Sequence, residues 1–154
     1  MLDRRSFLAA MGALSSGALS SSANAWSTDS SKRKRLAIIT TEWRYYSHAW
    51  HMGTRFLVGY PREGRWHHPP FEVVSAYVDQ QPENDLSKSR AKEFGFKIYP
   101  SIPEALRCGG YQLAVDAVLV IGEHGKYPRN EFQQTLYPRF EFFKEVVKVY
   151  REDG

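Results

Sequence analysis

The feature that most constrains this chain is an alternation. Short runs of branched apolar residues are each followed by a stretch with helical spacing. The segment from Arg35 to Glu42, RLAIITTE, is apolar without a two-residue period and ends in polar residues, as a strand buried on both faces does. Behind it, Tyr46, Ala49, Trp50, Phe56 and Leu57 recur at helical spacings, and Ser47 stands where it can cap a helix running to Val58. Gly59 to Pro70, with three prolines and two glycines, is predicted to be one long loop.

The alternation continues. Phe71 to Asp79, FEVVSAYVD, is predicted to be a second strand, and a helix from about Asp85 to Phe94, capped by Asn84 or Asp85, is stopped by Gly95. Phe96 to Tyr99 is a short third strand. Ser101-Ile102-Pro103-Glu104 is a capping box opening a short helix that Gly109-Gly110 closes. Val115 to Ile121, VDAVLVI, is the most apolar run beyond the first 25 residues and is expected to be a central strand, followed by a tight turn at Gly122-Glu123-His124-Gly125. Arg139 to Tyr150 places Phe140, Phe143, Val146, Val147 and Tyr150 on one predicted helical face. Strands alternating with helices call for a parallel sheet with right-handed crossovers, hence a three-layer, Rossmann-like α/β domain over residues 35–154. Such domains have five or six strands; about four are counted here, so the sheet is expected to be incomplete, either because the chain is a fragment cut at its C-terminus, the favoured reading, or because a sheet edge has been trimmed.

Residues 1–25 carry a different pattern. Asp3-Arg4-Arg5-Ser6-Phe7-Leu8 opens a modestly apolar, Gly- and Ala-rich stretch that ends at Ala23-Asn24-Ala25. This is the layout of a twin-arginine export signal with an A-x-A cleavage site, so the translocase is an expected partner and the location is expected to be periplasmic or otherwise extracytoplasmic. Residues 26–34 read as a linker. Phe7 to Leu19 is shorter than the roughly 20 apolar residues of a membrane span, and no membrane span is expected in the mature chain. The formal net charge of +4 on the whole chain is mild, and the basic run Lys32-Arg33-Lys34-Arg35 has no aromatic residues arranged around it, so nucleic acid is not an expected partner. The single cysteine, Cys108, cannot close an intramolecular disulfide and is expected to be packed.

In an open parallel sheet, ligands bind beyond the carboxyl ends of the strands where strand order reverses. That rule selects Thr41, Glu42, Arg44, His48 and His51 after the first strand, Asp79 after the second, and Glu123 and His124 after the fourth. Glu123 and His124, in a glycine-flanked turn where packing gives no reason for either, are the candidate acid and base. Thr41, Arg44 and Asp79 are the candidate cofactor-binding residues. Asp79 either meets a ribose, as the strand-end acid of dinucleotide folds does, or caps its own turn. Glu42, His48 and His51 have metal-ligand chemistry, although the two histidines can equally bond within the helix or face solvent. His67-His68 in the long loop are expected to be solvated. A dinucleotide also needs a Gly-rich turn after the first strand, and Thr41-Glu42-Trp43-Arg44-Tyr45 stands there instead, where a carboxylate would repel a pyrophosphate and a tryptophan obstruct it.

The order of elements, with IYPSIPEAL at 98–106 before VDAVLVI at 115–121, resembles the amino-terminal, nucleotide-binding half of the Gfo/Idh/MocA oxidoreductases. It is still more similar to a set of exported bacterial proteins related to that family, marked by TEWRYYSH at 41–48, DQQPEND at 79–85, EHGKYPRNE at 123–131 and LYPRF at 136–140. The resemblance implies hydride-transfer chemistry with NAD or NADP, and longer relatives that continue into another strand and a further domain. The family's Gly-rich turn is missing, and its Glu-Lys-Pro motif lies beyond this chain, so none of its catalytic residues carries over. Three functions are therefore expected in competition: an oxidoreductase-like protein binding a nucleotide or sugar-like ligand, a non-catalytic binding or structural protein that lost the cofactor, and a metal-assisted hydrolase or lyase.

Overall fold

The protein is described by a computed structural model over residues 33–154; the twin-arginine pattern and all but the last two residues of the linker lie outside the described residues. Its order is β1 (Lys34–Thr40), α1 (His48–Val58), β2 (Tyr60–Arg62), β3 (Arg65–His67), β4 (Phe71–Val78), α2 (Ser87–Phe94), β5 (Lys97–Tyr99), α3 (Ile102–Leu106), β6 (Ala117–Ile121) and α4 (Arg139–Asp153). The main sheet runs β5-β4-β1-β6, and every pairing in it is parallel. The chain therefore steps outward from β1 through β4 to β5, then crosses back to β6 on the other side of β1. This is a three-layer, Rossmann-like order, incomplete beside the six strands of a full doubly wound sheet. No helix among the described residues is long and apolar enough to cross a membrane.

The sheet is covered on two sides by two separate cores. Ile38, Trp43, Ala49, Ala76, Phe96 and Ile121 form one, with Trp50 and Phe56 of α1 and Ala91 and Phe94 of α2 packed against it. Ala37, Ile39, Leu106, Val115, Phe142, Val146 and Val149 form the other, joining α3 and α4 to the opposite face. Alternate residues of β1 thus serve different cores, which is why that strand reads as a continuous apolar run.

Four expectations need correction. The stretch 59–70 contains the antiparallel hairpin β2-β3, turning at Glu63-Gly64, whose φ values of 51° and 72° are both left-handed. Two successive positive φ angles match the right-handed twist of a two-residue hairpin, and Gly64 accepts one at no steric cost. Helix α2 starts at Ser87 with no side-chain cap, because Asp85 instead accepts from the Ser87 hydroxyl (2.6 Å) and Leu86 N donates to Trp43 O (2.7 Å). The buried face of α4 is Phe142, Val146 and Val149, at i, i+4 and i+7, while Phe140 and Phe143 are 70% and 58% exposed. Strand β6 lies at an edge among the described residues, and Ala117 to Val120 are only half-buried. Two caps are as expected: the Ser47 hydroxyl accepts from Trp50 N (3.2 Å), and Ser101 accepts from Glu104 N (3.3 Å) while donating to its carboxylate (2.9 Å).

Candidate functional site

The turn after β1 is built around a buried tryptophan. Trp43 is fully buried, stacked on Phe96 with centroids 5.7 Å apart, and a Cβ at Gly53 would lie 2.9 Å from its ring. The indole therefore points down into the core and does not obstruct the crevice above the sheet, contrary to the expectation from sequence. Anchoring Trp43 fixes its neighbours. Glu42 is only 6% exposed, and its Oε1 lies 2.6 Å from Arg44 Nε, a charge pair that keeps a buried carboxylate compensated.

At the switch point itself, between β1 and β6, the strand ends are sewn together. Thr41 N donates to Ile121 O (3.2 Å), and the fully buried Thr41 hydroxyl donates to Glu123 O. Thr41 is thus a tie within the fold, with no side-chain atom free for a cofactor. The recess opens on the β4 side. A cavity of about 490 Å³ is lined by Glu42, Arg44, Gln80, Gln81, Pro82, Asn84, Gly125 and Lys126.

Three loops make this cavity, and each is braced to another. Arg44 and Asp85 form an antiparallel bridge between the loops after β1 and β4. The Gln80 amide clasps the third loop, donating from Nε2 to Lys126 O (3.1 Å) and accepting at Oε1 from Lys126 N (2.9 Å), as a strand neighbour would. Gly125, at φ 97°, allows this approach; a Cβ there would lie 2.8 Å from the Tyr127 ring and 3.1 Å from Gln80 Oε1. Asp79 accepts from the Tyr77 hydroxyl at Oδ1 and the Tyr127 hydroxyl at Oδ2, both at 2.6 Å. Burial first, and then this carboxylate, push both phenols well above their ordinary value of 10.0, so both stay protonated donors. Asp79 therefore does not cap its own turn; its carboxylate ties β4 to the loop after β6.

Glu123 and His124 stand between this cavity and the edge of the sheet. Glu123 Oε2 lies 2.9 Å from His48 Nδ1, and Oε1 lies 2.8 Å from an Arg139 guanidinium nitrogen. Arg139 Nε also donates to Gly122 O (3.1 Å). His124, at a left-handed φ of 68°, stacks on His48 with centroids 4.8 Å apart, and its Nδ1 lies 3.5 Å from Arg44 Nη2. Burial, and then the neighbouring His48 and Arg44, hold the His124 imidazole below its ordinary value of 6.5, favouring the neutral ring. A neutral imidazole beside a carboxylate can take up a proton, so this corner has the parts of an acid–base pair.

The metal-ligand set does not converge. Glu42 is committed to Arg44, His48 to Glu123, and His51 packs edge-on to Trp50; no group of three or more His, Cys, Asp or Glu among the described residues is arranged to hold an ion. A dinucleotide does not fit the residues present either. The Glu42 carboxylate faces the cavity where a pyrophosphate would sit, the Ser47 hydroxyl already accepts from both Arg44 N and Trp50 N at the start of α1, and both Asp79 oxygens accept from tyrosines. Gln80, Gln81, Asn84 and Lys126 are not among the site residues expected from the sequence; the available signal was a cluster of amides directly after a strand end, in DQQPEN at 79–84. Comparison with protein-family models, curated proteins and solved structures finds no match for this chain.

Proposed function

We propose that this protein is an exported, Rossmann-like binding protein for a small polyhydroxylated, sugar-like molecule, related to the nucleotide-binding half of the Gfo/Idh/MocA oxidoreductases but no longer built for their dinucleotide. The observation that carries the reading is the cavity over β1 and β4. Its lining combines the Glu42–Arg44 charge pair, the Lys126 ammonium and three side-chain amides, of which that of Gln80 holds the Lys126 backbone while those of Gln81 and Asn84 make no other bond among the described residues. Each hydroxyl of a sugar both donates and accepts, so such a mixed set can satisfy several at once, whereas an anionic ligand would leave Glu42 opposed to it. The arginine pair and A-x-A site of residues 1–25 support export.

A second reading adds turnover, and His124 favours it. Its ring is held toward the neutral form beside Glu123, and its left-handed backbone is a strain that active sites commonly hold. The test is calorimetric titration of the purified protein with neutral monosaccharides and cyclitols and, separately, with NAD and NADP. A neutral sugar or cyclitol is expected to bind, with Gln80→Ala weakening it about tenfold by releasing the Lys126 loop. Tight binding of a dinucleotide with no response to any polyol would overturn the proposal. Loss of product formation in His124→Asn with ligand affinity retained would establish the second reading.

A further inference from the structure

Next to the cavity, the loop from Arg44 to Ser47 raises two aromatic rings out of the protein. Tyr45 and Tyr46 are 54% and 65% exposed, their centroids are 4.2 Å apart, and both rings pack against Trp50, at 4.7 Å and 5.6 Å. His51 extends the cluster, 4.8 Å from Trp50 and 6.0 Å from Tyr46. The backbone holding them is not the one tyrosine prefers. Ser47 N donates to Arg44 O (3.0 Å), closing a turn whose third residue is Tyr46 at φ 61°. That turn position favours glycine or asparagine, and a bulky side chain there is strained. The contacts with Tyr45, Trp50 and His51 still leave most of the Tyr46 ring in solvent.

We propose that Tyr45, Tyr46 and Trp50 form a stacking subsite for a second sugar unit, so that the ligand of the polar cavity is an oligosaccharide or glycoside whose next ring lies on this aromatic surface. The proposal rests on the sugar-binding reading of the cavity. Continuity supports it: Arg44 lines the cavity, and its Nη1 donates to Tyr45 O (3.4 Å), so the residue that would meet one ring's hydroxyls also positions the aromatic loop. The rings offer single aromatic faces. Tyr45 is tilted 58° to Tyr46, and each is tilted 63° to Trp50, giving separate facets with no parallel pair to sandwich a flat base. A sugar chair presents a patch of axial C–H groups that packs on a single aromatic face, while its equatorial hydroxyls stay in water.

The experiment compares a neutral monosaccharide with the corresponding β-linked and α-linked disaccharides by calorimetric titration. It uses the unmodified protein, Tyr45→Ala, and Tyr46→Asn, the last keeping a residue that tolerates the left-handed turn. A disaccharide is expected to bind about tenfold more tightly than the monosaccharide, and both variants to erase that gain while leaving monosaccharide affinity unchanged. Circular dichroism melts of both variants check that the fold is retained. If the monosaccharide binds and the gain survives in both variants, the subsite is overturned and the cavity reading stands. If no saccharide binds the unmodified protein, both fall. If adenosine, titrated in parallel, shows the tyrosine dependence in place of the sugars, the subsite is a nucleobase platform and the sugar assignment is overturned.

Discussion

Two recesses of similar size lie at the carboxyl end of the same sheet, and they are built in opposite ways. The one over β1 and β4, about 490 Å³, is polar and braced across three loops by the Gln80 clasp and the Arg44–Asp85 bridge. The other, about 400 Å³, lies along β6 between His48 and Met52 of α1 and Arg139 and Phe143 of α4. It is floored by Val120 and Ile121, and no strand pairs with the outer side of β6 among the described residues. The Glu123 side chain, held by His48 on one side and Arg139 on the other, marks the boundary. Hydrogen-bonded loops over an anchored tryptophan hold the first recess in shape, whereas the second is a groove along an unpaired strand edge, walled by apolar and charged side chains. Position at the end of a Rossmann-like sheet does not by itself separate the two; the bracing does.

The contrast is broken most severely by removing the anchor. Trp43→Ala empties a fully buried site beneath the polar recess and is expected to cost about 3–5 kcal/mol, read as a lowered urea midpoint. Phe143→Ala, at a residue 58% exposed beside β6, is expected to stay within about 0.5 kcal/mol of the unmodified protein. Equal losses for the two would show that the edge is packed as tightly as the core, and the distinction would fail. Gln80→Ala removes two hydrogen bonds to one loop and is expected to cost about 1–2 kcal/mol, with faster amide exchange at Lys126.

The smallest effect is in pH. His124 binds its proton less readily when folded, so in the interval between its lowered folded value and 6.5 the unfolded chain holds more protons. Stability should therefore be fully present above pH 6.5 and fall as pH drops through that interval, and His124→Asn should flatten that part of the profile. A profile unchanged by the substitution would remove His124 as its source.

Much of the main sheet was legible. The four parallel strands and the Ser47 and Ser101 caps follow from apolar runs and local capping chemistry, which act over a few residues. What was not legible depends on partners distant in sequence. Pro61 and the flanking glycines made 59–70 read as a loop, although Glu63-Gly64 could close a hairpin. Asp85 looked like a cap for α2 until Ser87 and the bridge to Arg44 claimed it. Trp43 looked like an obstruction because nothing local says that Gly53, ten residues on, leaves room for its ring. The site shows the same division. The strand-end rule points to Glu42 and Arg44, which line the cavity, and to Glu123 and His124, which lie beside it, while Gln80 and Lys126 join through a clasp between residues 46 apart in sequence.

Mapping backbone amide shifts by nuclear magnetic resonance while titrating a neutral sugar tests the central claim most directly. The account predicts saturable shifts confined to Glu42–Tyr46, Gln80–Asn84 and His124–Lys126, with Val120 and Phe143 unmoved. Shifts centred on Val120, Gly122 and Phe143, or none at saturating sugar, would contradict it.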